Sequence, residues 1–176
     1  MGTRPTSDRL RETLFNVLAP RIENSVFLDL YAGTGAVGIE AISRGAAHVT
    51  FVERAPAALK VLRSNLARLG IDGGFRIHAG SVSEFVRARS KSASKPGPHE
   101  VVFLDPPYDA AQEYAATLER LGNVETGILS CGAVVIAEHS RKEPLSQNYG
   151  SLRRTRLLEQ GDAALSFFTA KTEGAD

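Results

Sequence analysis

The feature that most constrains this chain is an alternation. Short β-branched or apolar runs trade places with stretches of helical character: 26–30 then 37–44, 49–53 then 56–69, 75–79 then 82–89, and 101–104 then 111–121. A strand that must be followed by a crossover helix before the next strand builds a parallel sheet with helices on both faces. The buried-looking run at 133–137 adds a fifth strand. Residues 152–159 and 163–170, joined across Gln160-Gly161-Asp162, then read as an antiparallel hairpin that closes the sheet. The expectation is an α/β fold with a mostly parallel sheet of seven strands. Ahead of it, Leu10, Leu14, Val17 and Leu18 recur at helical spacing, Thr6 or Ser7 can cap that helix, and Pro20 is expected to stop it.

At 176 residues the chain suits one core, so residues 1–176 are expected to form a single domain, with 1–20 as an N-terminal lid helix and 26–170 as the sheet-bearing unit. The segment 90–99, rich in Ser, Lys, Pro and Gly, reads as a loop. Hydrophobic residues at 43% and charged residues at 23% are ordinary for a folded protein. No apolar run approaches the roughly 20 residues that span a bilayer, and the N-terminus lacks the apolar stretch of a signal peptide. A cytoplasmic monomer without a membrane partner is expected. The single cysteine, Cys131, excludes an internal disulfide and suits a reducing compartment; it reads as a buried packing residue. His48, His78, His99 and His139 show no metal-ligand spacing, so no metal is expected and they read as satisfied structural or surface histidines. Glu138-His139 follows a buried strand and borders, at most, whatever pocket lies there.

The first strand runs into Asp29-Leu30-Tyr31-Ala32-Gly33-Thr34-Gly35-Ala36-Val37-Gly38. Gly33 and Gly35 allow positive φ and let a ligand approach the backbone, with Tyr31 and Thr34 between and beside them. Glu53, twenty residues after Gly33 and followed by Arg54, ends the second strand, where a carboxylate can accept from both hydroxyls of a ribose. These features indicate an adenosine-type ligand without choosing between NAD and S-adenosylmethionine. Asp29 favours the latter, since it can pair with the α-ammonium of a methionine moiety and would repel a pyrophosphate. Ser81 and Val82, after the third strand, fall where the adenine would lie.

The fourth strand ends in Asp105-Pro106-Pro107-Tyr108. Two prolines forbid continued sheet or helix and fix a turn with outward carbonyls. An exocyclic amine on a base is a poor nucleophile because its lone pair is delocalised into the ring. The Asp105 carboxylate and the Pro106 carbonyl can hold its two hydrogens and aim the lone pair at a sulfonium methyl, a gain from positioning and electrostatics. Tyr108 offers a face on which a flipped-out base stacks.

With these residues the chain resembles the bacterial 16S ribosomal RNA guanine-N2 methyltransferases. The resemblance covers nearly the whole chain through RPTSDRLRETLFNVLAP at 4–20, LDLYAGTGAVGIEAISRGAAHVTFVE at 28–53, NLARLG at 65–70 and VFLDPPYD at 102–109. It implies a Rossmann-like class I methyltransferase fold, S-adenosylmethionine as cofactor, and 16S rRNA or the small ribosomal subunit as partner. By position, Asp29, Gly33 and Gly35 would line the methionine and ribose region, Glu53 would hold the ribose, and Asp105 to Tyr108 would form the acceptor site. The Arg4–Arg11 stretch is similar to the family's lid. Two departures stand out. The basic hairpin that family members carry ahead of Arg-Pro-Thr is not in this sequence, and Ser81 stands where related proteins often have an aspartate. RNA contact is therefore expected from Arg4 and from Arg87, Arg89, Lys91 and Lys95, a run of cations without an intervening acid. Arg153, Arg154 and Arg156 form a second basic group. A related amino-methyltransferase acting on DNA adenine or a protein amide would use the same tetrad. A nicotinamide-dependent oxidoreductase is favoured by the glycine pattern alone.

Overall fold

A computed structural model describes residues 5–89, 98–107 and 111–171. The elements run α1 (Pro5–Ile22), β1 (Val26–Leu30), α2 (Ala36–Ser43), β2 (His48–Glu53), α3 (Pro56–Arg68), β3 (Phe75–Ala79), α4 (Val82–Arg89), β4 (His99–Leu104), α5 (Ala111–Gly122), a 3-10 turn (Val124–Thr126), β5 (Leu129–Ser140), β6 (Asn148–Tyr149), β7 (Leu152–Gln160) and β8 (Ala163–Ala170). They form one sheet in the order β3-β2-β1-β4-β5-β8-β7-β6. The first five strands are parallel and the last three antiparallel. The direction of winding reverses between β1 and β4, and in open α/β sheets a crevice opens at such a point beyond the carboxyl ends of the strands.

Strand residues alternate between two apolar layers. Phe27, Val49, Phe51, Val101, Phe103, Ile136 and Phe167 face α1, α2 and α3. Leu28, Leu30, Val52, Val102, Leu104, Val135 and Phe168 face α4 and α5. The central strands are buried on both faces, which is why β1 and β4 read as continuous apolar runs rather than alternating ones.

The structure corrects several expectations. The sheet has eight strands rather than seven, because Asn148–Tyr149 pairs with Leu152–Arg153 as a two-residue edge strand too short to leave a periodic signal. Pro20 does not stop α1. Its ring is exposed, it forfeits a single backbone donor, and the helix continues until Ile22 is buried and its carbonyl accepts from Ser25 Oγ at 2.7 Å. The helix starts at Pro5, so Thr6 and Ser7 fall inside its first turn rather than ahead of it. β5 extends well beyond 133–137, since β8 pairs with it as far as Ser140. His99 belongs to β4 and donates its backbone N–H to Ile128 at 2.7 Å; residues 90–97 of the expected loop lie outside the described residues. Cys131 is exposed, at the irregular beginning of β5. Both ring nitrogens of His139 are hydrogen-bonded as expected, whereas among the described residues the buried Nε2 atoms of His48, His78 and His99 have no partner, although His99 Nδ1 lies 3.1 Å from the Ile128 carbonyl. His99 is held neutral, its pKa lowered to about 4 chiefly by burial.

Candidate active site

The carboxyl ends of β1, β2, β3 and β4 surround a cavity of about 680 Å³. It is lined by Tyr31 and Gly33 from the first turn, Val52 and Glu53 at the end of β2 with Arg54 after it, Gly80 to Ser83 after β3, and Asp105, Pro106 and Pro107 after β4. Segments that are far apart in sequence therefore meet at the reversal point of the sheet.

Glu53 organises the near wall. Its Oε2 accepts from Gly33 N–H at 2.8 Å, and its Oε1 accepts from the N–H groups of Arg54 and Ala55, each at 2.8 Å. One carboxylate thus ties the glycine-rich turn to the start of α3. Glu53 also lines the cavity, and the acceptor site left on Oε2 suits a ribose hydroxyl. Gly33 has φ +56°, and among the described residues a Cβ built there would meet nothing closer than the Tyr31 carbonyl at 4.0 Å.

Gly35 and Gly38 do not line this cavity, and they are glycines for another reason. A Cβ on Gly35, at φ +81°, would lie 2.2 Å from Leu62 Cδ1, and one on Gly38 would lie 2.3 Å from Phe51 Cε1. They let α2 pack closely on α3 and β2. Thr34 is exposed and contributes its carbonyl, which accepts from Asn65 Nδ2 at 3.0 Å. Asp29 is 1% exposed and lies beneath the turn, where Oδ2 accepts from Gly38 N–H at 2.9 Å. Burial pushes its pKa up to about 8, so the buried acid is mostly protonated at neutral pH. It acts on the site through the turn it supports rather than from the cavity wall.

Tyr31 adopts φ +60°, an uncommon conformation for a side-chain-bearing residue. Its hydroxyl donates to Glu113 Oε2 at 2.7 Å and lies 2.7 Å from Thr117 Oγ1. Glu113 and Thr117, together with Ala116 and Arg120, form the α5 side of the cavity. These residues were not anticipated. Their spacing of i, i+3, i+4 and i+7 puts them on one helix face, and α5 follows the Asp-Pro-Pro turn so closely that this face had to overlook the site.

Ser81 and Val82 line the wall as expected. The Ser81 hydroxyl donates to Glu84 Oε2 at 2.8 Å and accepts from Glu84 N–H at 3.2 Å, while Ser81 N–H donates to the same carboxylate at 2.7 Å. This capping box was legible as Ser-Val-Ser-Glu. It engages the hydroxyl in starting α4.

Asp105 lines the cavity and is an exposed residue, yet desolvation by surrounding protein raises its pKa to about 6. Pro106 is buried and Pro107 exposed. Tyr108, Arg4, Lys91 and Lys95 lie outside the described residues. Arg87 and Arg89 occupy the last turn of α4, away from the cavity lining. Among the described residues no group of three or more His, Cys, Asp or Glu could hold a metal ion, and no helix is long and apolar enough to cross a membrane.

The sheet order, the glycine-rich turn after β1 and the acid that ends β2 define a class I methyltransferase fold. The chain belongs to the family described as Conserved hypothetical protein 95, which it matches over residues 1–169. It is 34% identical to YlbH of Bacillus subtilis over 95% of this chain and 88% of that one. It is 36% identical to the ribosomal RNA small subunit methyltransferase D of Haemophilus influenzae over 82% of this chain and 72% of the relative. With the Escherichia coli protein of the same name it shares 46% identity across 61% of this chain, which spans about half (50%) of that relative. Among solved structures, yhhF of Escherichia coli superposes with a TM-score of 0.80 at 33% identity, covering 97% of this chain and 88% of that one. An RNA methyltransferase from Salinibacter ruber in complex with S-adenosyl-L-homocysteine shares the fold, with a TM-score of 0.67 at 18% identity over 100% of this chain and 97% of that one.

Proposed function

We propose that the chain transfers the methyl group of S-adenosylmethionine to the exocyclic N2 of a guanine in 16S rRNA, presented by the small ribosomal subunit. The observation that carries this reading is the meeting of Asp105-Pro106-Pro107 with Gly33, Glu53 and Ser81 around one cavity. The names of the relatives favour rRNA as the acceptor.

S-adenosylmethionine supplies an electrophilic methyl on a cationic sulfur. Everything else falls to this chain's residues. Glu53 holds the ribose hydroxyls, Gly33 admits the ligand close to the backbone, and Ser81 with Val82 borders the adenine. The Asp105 carboxylate and the Pro106 carbonyl accept the two amine hydrogens and keep the nitrogen lone pair directed at the methyl group. Tyr108 stacks on the base. No strong general base is needed, because the methylated amine is acidic and gives its proton to water or a nearby carboxylate. Arg4, Arg87, Arg89, Lys91 and Lys95 contact phosphates, and the protein works as a cytoplasmic monomer.

The test is transfer of labelled methyl from S-adenosylmethionine to small subunits that lack the modification, with Asp105→Ala alongside the wild type. Label in guanine N2 that falls at least a hundred-fold in the variant, while S-adenosylhomocysteine still binds, is the expected result (an effect on the order of 10² or more when such positioning is lost). Label that appears on another acceptor, or that survives in the variant, refutes the reading.

A further inference from the structure

Beyond the register shift after His99, the parallel ladder between β4 and β5 runs from Val101↔Val134 to Leu104↔Ala137. The next residue on each strand is an acid, Asp105 on one and Glu138 on the other. Both line a narrow crevice with Pro106, Tyr114 and His139. Asp105 and Pro106 also belong to the large cavity, so the Asp-Pro turn is the partition between the two spaces. The crevice holds about 10 Å³, about the room of a single water, so a ligand seated against it presents only an edge group to it.

Glu138 is held firmly in this position. Its carbonyl accepts from the Tyr114 hydroxyl at 2.7 Å, and its backbone is paired to Leu165 of β8. His139 beside it is committed elsewhere: Nδ1 lies 2.9 Å from the Ser140 carbonyl and 3.1 Å from that of Glu143, and Nε2 lies 2.8 Å from Ser166 Oγ. Of the pair, Glu138 is the residue with an acceptor to offer the crevice.

We infer that Glu138 selects guanine, its carboxylate accepting the base N1–H beside the N2 amine held by Asp105 and the Pro106 carbonyl. The inference rests on the guanine-N2 reading and adds a specificity residue to it. Guanine is the base whose Watson–Crick edge sets a ring N–H next to an exocyclic amine. Adenine and cytosine set a bare ring nitrogen there, whose lone pair would face the second carboxylate. A site built around a hydrogen bond rejects a partner that cannot make it, because the protein group is then left unpaired. The titration behaviour agrees. Glu138 is raised to about 7, chiefly by burial and then by the Asp105 charge, while the Arg11 charge opposes the rise; Asp105 is raised to about 6 by burial. Adjacent donors from one base edge would relieve both acids together.

The methylated position is first mapped with the wild type on unmodified subunits. Subunits are then reconstituted with guanine or 2-aminopurine at that position, the latter keeping the exocyclic amine but lacking N1–H. The wild type should favour guanine by on the order of a hundred-fold in kcat/KM. Glu138→Gln, whose amide can donate to the bare N1, should bring the two substrates within about ten-fold of each other, and Glu138→Asp, with a withdrawn carboxylate, should fall between. Calorimetric binding of S-adenosylhomocysteine reports that the variants are folded. An unchanged preference in both variants, or an equal loss on both substrates with that binding intact, overturns the inference while the function stands. A wild type that methylates no guanine N2 removes the function as well.

Discussion

Replacing Asp29 with Asn separates a structural acid from a ligand-binding one. The Asp29 carboxyl is 1% exposed, hydrogen-bonded to Gly38 N–H, and raised from 3.8 to about 8 by burial. In the unfolded chain it loses its proton near 3.8, whereas in the folded protein it keeps it to about pH 8. The folded state therefore binds more protons across that window, and stability falls as pH rises from about 4 to about 8 before levelling off. At about 1.4 kcal/mol per pH unit, the cost reaches on the order of 4 kcal/mol by pH 7. Asn keeps an acceptor for Gly38 N–H and carries no charge to bury. Urea unfolding at several pH values, followed by circular dichroism because the chain has no tryptophan, should show the variant gaining on the wild type by about 2–3 kcal/mol between pH 5 and pH 7. The raised acids Asp105 and Glu138 contribute equally to both proteins and cancel in the difference. Parallel pH profiles would refute the reasoning. A variant that is instead several kcal/mol weaker at pH 8 would mean that an ionised Asp29 is paired inside the fold.

Gly38→Ala should lower the melting temperature by several degrees, since overpacking against Phe51 costs about 1–3 kcal/mol and the gain in helix propensity is at most about 1 kcal/mol; a higher melting temperature sinks the packing argument. Glu53→Ala removes the acceptor of three backbone N–H groups, and calorimetry should find S-adenosylhomocysteine bound at least about ten-fold more weakly. An unchanged affinity would take Glu53 out of the ligand site. Neutralising Arg87, Arg89, Lys91 and Lys95 together should weaken rRNA binding and reduce its salt slope by roughly one for each phosphate that is no longer neutralised; identical slopes would make that segment ordinary solvated surface.

The alternation of strand and helix was legible because the central parallel strands are buried on both faces and each crossover must hide one apolar stripe. The hairpin Leu152–Ala170 was legible for the complementary reason, that Gly161 and Asp162 between two extended runs permit little else. What escaped were features set by tertiary context. Asn148–Tyr149 is a strand only because β7 passes beside it. Pro20 stays helical because its ring faces solvent while Ile22 is buried. At the site, the ends of β1, β2, β3 and β4 could be placed from topology alone, but the division of labour among the glycines could not. Gly33 faces the ligand space, whereas Gly35 and Gly38 face Leu62 and Phe51, partners that lie well along the chain. Glu138 was hard to single out for the same reason. Its meaning comes from the register that sets it next to Asp105, and register is not written in either strand's composition.

The carboxyl groups around the site share one electrostatic logic. Asp29, Asp105 and Glu138 are all raised chiefly by burial, and the Asp105 charge adds to the rise of both others. At neutral pH and without a cation, Asp29 is therefore mostly protonated, Glu138 is poised between its two forms, and Asp105 is mostly ionised. A sulfonium-bearing ligand changes the balance, since a nearby positive charge favours the ionised form of each acid. On the proposed acceptor site, methyl transfer would move that positive charge from the sulfur to the amine nitrogen, toward Asp105 and Glu138. Acids poised near neutrality are suited to meet charge that develops there, and in a partly desolvated pocket such an interaction is worth more than in water. For Asp105 and Glu138, the burial that raises their pKa values and weakens the empty fold as pH rises is the same property that, on the proposed function, would stabilise the reacting amine.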